Sequence, residues 1–200
     1  MNEGLDMLKE QIVEWINEGK RLLHQAVQEA SLPGSEHAIF DVNVLLHGHV
    51  DINARNSNDA TPLHVAAKSE NLHLVKILVE GGANLRAMSM HGATPLHNAC
   101  REGSDRIVAY LIRAGSDKDA LTLDRDTPLH HAVRFNKIEN IRILILFGAN
   151  PRIKNRRGEH PMNLRCLDET KSAFKNALKE KTEMDHTRNV EGVNRSSLYD

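Results

Sequence analysis

Two hundred residues, 40 % hydrophobic and 26 % charged, suffice for one globular domain or one repeat array with a substantial core. Lys and Arg number 26 against 27 Asp and Glu, a formal charge of −1, which argues against a non-specific binder of nucleic acid or of an anionic membrane. Cys100 and Cys166 are too few for a disulfide framework, the start Met1-Asn2-Glu3-Gly4-Leu5-Asp6 lacks the order of a signal peptide, and the longest apolar run, Ile143 to Phe147, falls far short of the roughly 20 residues that cross a bilayer as a helix. These features set the expectation of a reducing cytosol or nucleus.

The first predicted element is a helix carrying the apolar stripe Leu5, Leu8, Ile12 and Ile16, with Lys9, Glu10 and Glu14 elsewhere around it. Residues 1–19 are therefore expected to cap the open N-terminal end of whatever follows. Next comes Leu23-His24-Gln25-Ala26, then a stretch around Ser31-Leu32-Pro33-Gly34-Ser35 whose composition suits a loop.

From residue 61 the chain repeats itself. Thr61-Pro62-Leu63-His64 recurs as Thr94-Pro95-Leu96-His97 and Thr127-Pro128-Leu129-His130, then in worn form as His160-Pro161-Met162-Asn163, each step being 33 residues. Ala66, Ala99 and Ala132 keep the same register, and Gly82, Gly115 and Gly148 close each unit. Each Thr is placed to N-cap a helix, with Pro at the first helical position, where no N–H is needed. Helices are expected to begin near 62, 95 and 128. A second helix of each unit shows in the spacing of Leu72, Val75, Leu78 and Val79, and of Ile107, Val108, Leu111 and Ile112, with the glycines as helix stops. Helices of about eight to ten residues are marginal alone, so each pair must bury its apolar face against its neighbours.

The Thr-Pro-Leu-His motif on a 33-residue period resembles the ankyrin repeat. The resemblance covers roughly residues 20 to 180 and implies an all-α solenoid of stacked helix-turn-helix units joined by β-hairpin-like loops. The units fall near 20–56, 57–89, 90–122, 123–155 and 156–181, the first and last degenerate. In the first, His24 precedes His64 by 40 residues, so seven extra residues sit inside it, between its two helices. In the last, Arg165 stands where the other units hold alanine, as suits a face that meets solvent. Residues 182–200 turn polar and are expected to form a mobile tail.

Twelve histidines invite a metal or catalytic reading. His64, His97 and His130, however, fall on successive layers roughly 8–10 Å apart, too far for one ion to bridge, and their periodicity is explained by turn-stabilising hydrogen bonds. Cys100 and Cys166 occupy one repeat position two units apart, where a small buried residue is expected. No P-loop, nucleophile elbow, dinucleotide fingerprint or H-E-x-x-H occurs, so neither catalysis, a metal nor a cofactor is expected.

Binding remains, with a monomeric chain and another protein as partner. The resemblance implies that hairpin tips and exposed first-helix positions line a concave face. Successive tips carry Arg55, Ser57 and Asn58; Met88, Met90 and His91; Leu121, Leu123 and Asp124; Lys154, Arg156 and Arg157. First-helix positions add Lys68 and Ser69, Arg101 and Glu102, Arg134 and Phe135. The middle tips are unexpectedly apolar, which suggests a contact patch beside a basic flank and hence a partner segment that is acidic and partly apolar. The competing reading is that these side chains fold back on neighbouring hairpins or only solvate a face. Candidate partner-binding residues are thus Met88, Met90, His91, Arg101, Leu121, Leu123, Asp124, Arg134, Phe135, Lys154, Arg156 and Arg157. The segment Leu45 to Ala54 is also similar to ankyrin turns that asparaginyl hydroxylases modify, which would make Asn53 the modified residue. Two functional classes stay open: an adaptor, inhibitor or scaffold, including a microbial protein delivered into a host cell, or a substrate-targeting or regulatory subunit of an enzyme assembly.

Overall fold

Thr-Pro at the start of each first helix and glycine just after each second helix divide residues 61–148 into short helices that pair and stack. The computed structural model describes residues 18–32, 36–48 and 50–196; the expected capping stripe before residue 18 lies outside them. Helix α1 covers residues 18–30, followed by α2 (Glu36–His47), α3 (Pro62–Ala66), α4 (Leu72–Glu80), α5 (Pro95–Arg101), α6 (Asp105–Arg113), α7 (Pro128–Arg134), α8 (Ile138–Leu146), a 3-10 turn at Pro161–Asn163 and α9 (Asp168–Ser196). The described residues contain no strand. First helices pack on first helices (α3 on α5 on α7) and second on second (α4 on α6 on α8), giving an all-α two-layer solenoid.

The first helices are shorter than the spacing suggests, five to seven residues, because each is wedged between its N-terminal Pro and a tight turn. Second helices run nine residues. They end alike: Ala83 N–H bonds Leu78 O at 2.9 Å, Ser116 N–H bonds Leu111 O at 3.0 Å, and Ala149 N–H bonds Leu144 O at 2.9 Å. That closure needs a left-handed residue just before the donor, which Gly82 supplies at φ 91° and its counterparts Gly115 and Gly148 repeat. One continuous core runs from Leu23 through Leu63, Leu96 and Leu129 to Phe174, with Ala66, Ala99 and Ala132 fully buried where the layers approach closest.

The C-terminal end corrects the composition-based boundary at 182, for α9 runs without a break from Asp168 to Ser196. Its first half is anchored: Phe174 and Ala177 are buried, Arg142 grips Glu180 through two bonds of 2.8 and 2.9 Å, and Leu167 N–H and Thr170 Oγ–H both donate to Asn136 Oδ1. Past Lys181 helical pairing continues along its own surface, with Lys181 on Asp185 at 2.9 Å and the Thr182 hydroxyl on Leu178 O. Bonds between groups four residues apart accompany the continuation, the Thr187 hydroxyl on Glu183 O among them, and polarity alone does not stop a helix.

A candidate partner-binding groove

The groove is positioned by bonds that repeat with the sequence. In each of three units the histidine ring caps its own helix and reaches into the next unit. His64 Nδ1 accepts the Thr61 backbone N–H at 3.1 Å and lies 2.8 Å from the Thr61 hydroxyl, while Nε2 lies 2.9 Å from Ala93 O. With Nδ1 an acceptor, the ring is the neutral Nε2–H tautomer, and Nε2 donates across the layer. His97 repeats this with Thr94 and Asp126 O at 3.0 Å, and His130 with Thr127 and Glu159 O at 3.1 Å. Burial lowers all three imidazoles, His97 to about 3. His24 also reaches toward the next tip, its Nδ1 2.9 Å from Lys20 O and its Nε2 2.9 Å from Ala60 O, but across 36 residues where the others span 29, which places the seven inserted residues inside its unit. Arg21 stands in its threonine slot and lies inside α1.

The hairpin tips are tied in series. Met90 N–H bonds Asn58 O at 3.0 Å, Leu123 N–H bonds His91 O at 3.1 Å, and Arg156 N–H bonds Asp124 O at 2.8 Å. Asp59, Gly92, Arg125 and Gly158 hold one register and all have positive φ, from 54° to 77°.

Between the tips and the first helices lies an open groove of about 380 Å³, lined on one side by Ser89, Met90, His91 and Asp124 and on the other by Lys68, Arg101 and Arg134, with His64, Val65, Asn98 and His131 forming its floor. The structure therefore brings Met90, His91, Arg101, Asp124 and Arg134 of the sequence-predicted set into one surface. Met88, Met90 and Leu123 are 50, 50 and 61 % exposed. Leu121, expected beside them, is half-buried, although Met88 at the same register one unit earlier is exposed. Phe135 is exposed but serves as a platform, with the Arg101 guanidinium 5.0 Å from its ring centroid. Arg156 and Arg157 line an adjoining cavity of about 360 Å³ with Asp124, Asp126, Arg134 and Asn155. Lys154 is exposed at the same tip.

Arg134 differs from the free cation that sequence suggested. Its guanidinium donates to Asp126 Oδ2 at 2.6 Å, and Asn155 Nδ2 donates to the other carboxylate oxygen at 3.0 Å. Although burial acts against ionisation, the Arg134 and Asn155 bonds hold the Asp126 carboxyl below its ordinary range. Sequence reasoning missed this network, yet a signal existed: Asp126 occupies the register of Ala60 and Ala93, and a carboxylate in a slot otherwise held by alanine calls for a partner. It also passed over His131, which lies in the groove floor with its ring edge-on to His97, centroids 5.1 Å apart, and is lowered to about 4, chiefly by burial. Asn53 is engaged in the stack: its Oδ1 accepts Asn84 N–H at 2.7 Å, as Asp119 Oδ1 accepts Asn150 N–H.

Among the described residues no cluster of three or more His, Cys, Asp or Glu could hold a metal ion, and no helix is long and apolar enough to cross a membrane. No curated protein matches the chain. The family model described as ankyrin repeats (3 copies) matches residues 23–122 and 91–155. With the 33-residue unit present both in the letters and in the bonds that join each layer to the next, the chain belongs to the ankyrin-repeat family.

Proposed function

We propose that this chain is a free-standing protein-binding module, an adaptor, inhibitor or scaffold without catalytic activity, and that its partner seats on the concave groove and the second to fourth tips. Ankyrin repeats are generally protein–protein interaction modules. The observation that carries the address is the run of exposed apolar side chains Met88, Met90 and Leu123 on tips that solvent-facing turns normally fill with Gly, Asn, Asp or Ser. Beside them stand Arg156 and Arg157, for whose side chains no ion pair is present among the described residues. A monomer acting in cytosol or nucleus, or delivered there by a microbe, fits this surface.

The test begins with capture from cell lysates on the immobilised chain, identification by mass spectrometry, and kinetics with the captured partner. Buried apolar contacts govern dissociation, whereas exposed charges govern encounter. Met90→Ala with Leu123→Ala raises the dissociation rate, while Arg156→Glu with Arg157→Glu slows association and weakens its salt dependence. Parental affinity in the folded Met90→Ala, Leu123→Ala variant removes the groove from consideration.

One feature favours a second reading, that of a targeting or regulatory subunit, which needs a second docking element. Helix α9 continues past Lys181 with exposed side chains, Met184 among them at 42 %.

A further inference from the structure

We infer that the groove's occupant is an amphipathic α-helix lying along the stack, acidic toward the first helices and apolar toward the tips. This rests on the concave-face reading above and adds the partner's secondary structure, orientation and residue spacing.

The argument is one of pitch. Lys68, Arg101 and Arg134 line one wall at steps of 33 residues, so each of three layers presents one exposed cation. Met90 and Leu123 stand on the tip side at the same step. Packed helical layers lie roughly 8–10 Å apart, so the partner must return a side chain to the same face at about that interval. An α-helix does so every seventh residue, a rise of about 10.5 Å. An extended strand covers about 10 Å in three residues but turns that third side chain to the opposite face. A polyproline helix also returns in register, at about 9 Å, yet it leaves its backbone groups to be satisfied by its host. The groove has already committed much of its polar lining: Asn98 Nδ2 donates to His64 O, Thr122 Oγ1 accepts Asp126 N–H, and both Asp126 oxygens are taken. An α-helix arrives with its own hydrogen bonds made.

Charge sets the orientation. The Arg101 to Glu102 pair, 2.9 Å long with both side chains 40 to 48 % exposed, is of the kind that contributes at most about 1 kcal/mol, so Arg101 is available to a stronger acceptor. Lys68 has no ion pair among the described residues, and Arg134 gives one N–H to Asp126 while its fork has others. Asp126 itself, with its side chain 5 % exposed and already paired, presents no outward charge. Asp124, by contrast, is exposed on the tip side, which repels carboxylates from that wall and leaves it to apolar groups. Spanning three layers takes about four turns.

Fluorescence anisotropy with three synthetic peptides of about twenty residues tests this on the full chain: one with Glu every seventh residue and Leu on the adjoining stripe, a scramble of the same composition, and the first peptide with a central Pro. The spaced peptide binds at least tenfold tighter than either control and gains helical circular dichroism on binding. Lys68→Glu with Arg101→Glu, and separately Met90→Ala with Leu123→Ala, each weaken it at least tenfold. If the scramble or the Pro peptide binds as tightly and the groove variants weaken it, the helix is refuted and the groove survives. If the spaced peptide binds but neither variant pair weakens it, the groove fails as well. If none of the peptides binds, the inference is overturned, while the lysate capture still judges the groove.

Discussion

Replacing His97 with leucine removes a ring that serves two layers at once while keeping apolar bulk in a fully buried site. The substitution orphans the Thr94 N–H, now accepted at 3.1 Å, and the Asp126 carbonyl, now donated to at 3.0 Å. Both residues are at most 4 % exposed, so water does not replace the lost partners. Each unsatisfied buried group costs about 1–3 kcal/mol, so the pair costs about 2–6 kcal/mol. That is a large fraction of the 5–15 kcal/mol typical of a whole domain. Because each repeat touches only its neighbours, the loss falls on the junction between the units near 90–122 and 123–155, and unfolding there separates from the rest. Urea denaturation followed by far-UV circular dichroism at about pH 7.5 gives the total, and amide exchange at Thr94 gives the location. A loss below about 1 kcal/mol, or unchanged protection of the Thr94 amide, refutes the claim that the imidazole bridges the layers.

Acid provides an independent check on the same rings. Burial holds His97 to about 3 and His131 to about 4, and lowers His64 and His130 from the ordinary 6.5. The unfolded chain therefore takes up protons that the folded chain refuses, so stability is fully present above about pH 7 and falls as pH drops below 6.5. At pH 5 His97 and His131 cost about 2 kcal/mol each; a urea midpoint unchanged between pH 7.5 and 5 contradicts this. Gly103→Ala drives a methyl group into the Ala67 carbonyl oxygen and to 3.0 Å from Ala99 Cα, both backbone atoms that cannot step aside. A loss of about 1–3 kcal/mol follows, and wild-type thermal stability disproves the close approach. Incubation with an asparaginyl hydroxylase is expected to add one oxygen at Asn53 by intact mass, and no gain counts against that assignment.

The stack was legible because its signals are local and repeated. Thr-Pro at 61–62, 94–95 and 127–128 marks helix starts through backbone chemistry that needs no tertiary knowledge, and the helices begin at Pro62, Pro95 and Pro128. The groove was legible by position and only partly by role. Met90 and Leu123 are exposed because tips project from the stack whatever their residues. Leu121 is half-buried although Met88 at the same register is exposed, a difference that repeat position does not carry. Arg134 was misread for a related reason: its partner Asp126 is eight residues away, beyond any helical spacing, and the two meet only because the tip folds over α7. The end of α9 was hidden because composition reports solubility, while the helix continues on bonds between neighbours four residues apart.

The histidine bonds have a consequence for how such a chain changes over generations. Each unit offers a donor on one side and, 29 residues beyond it in the next unit, a carbonyl that accepts it. A duplicated block of 33 residues, inserted between existing units, finds both partners waiting, as does the pair left behind when a block is deleted. An insertion of any other length must be absorbed within a unit, as the seven extra residues between His24 and Ala60 are, where α1 runs on to residue 30 and α2 extends to twelve residues. The array is thus a gene segment that can be lengthened or shortened in whole steps without redesigning its interior, and the surface it offers a partner grows or shrinks by one cation and one tip at a time.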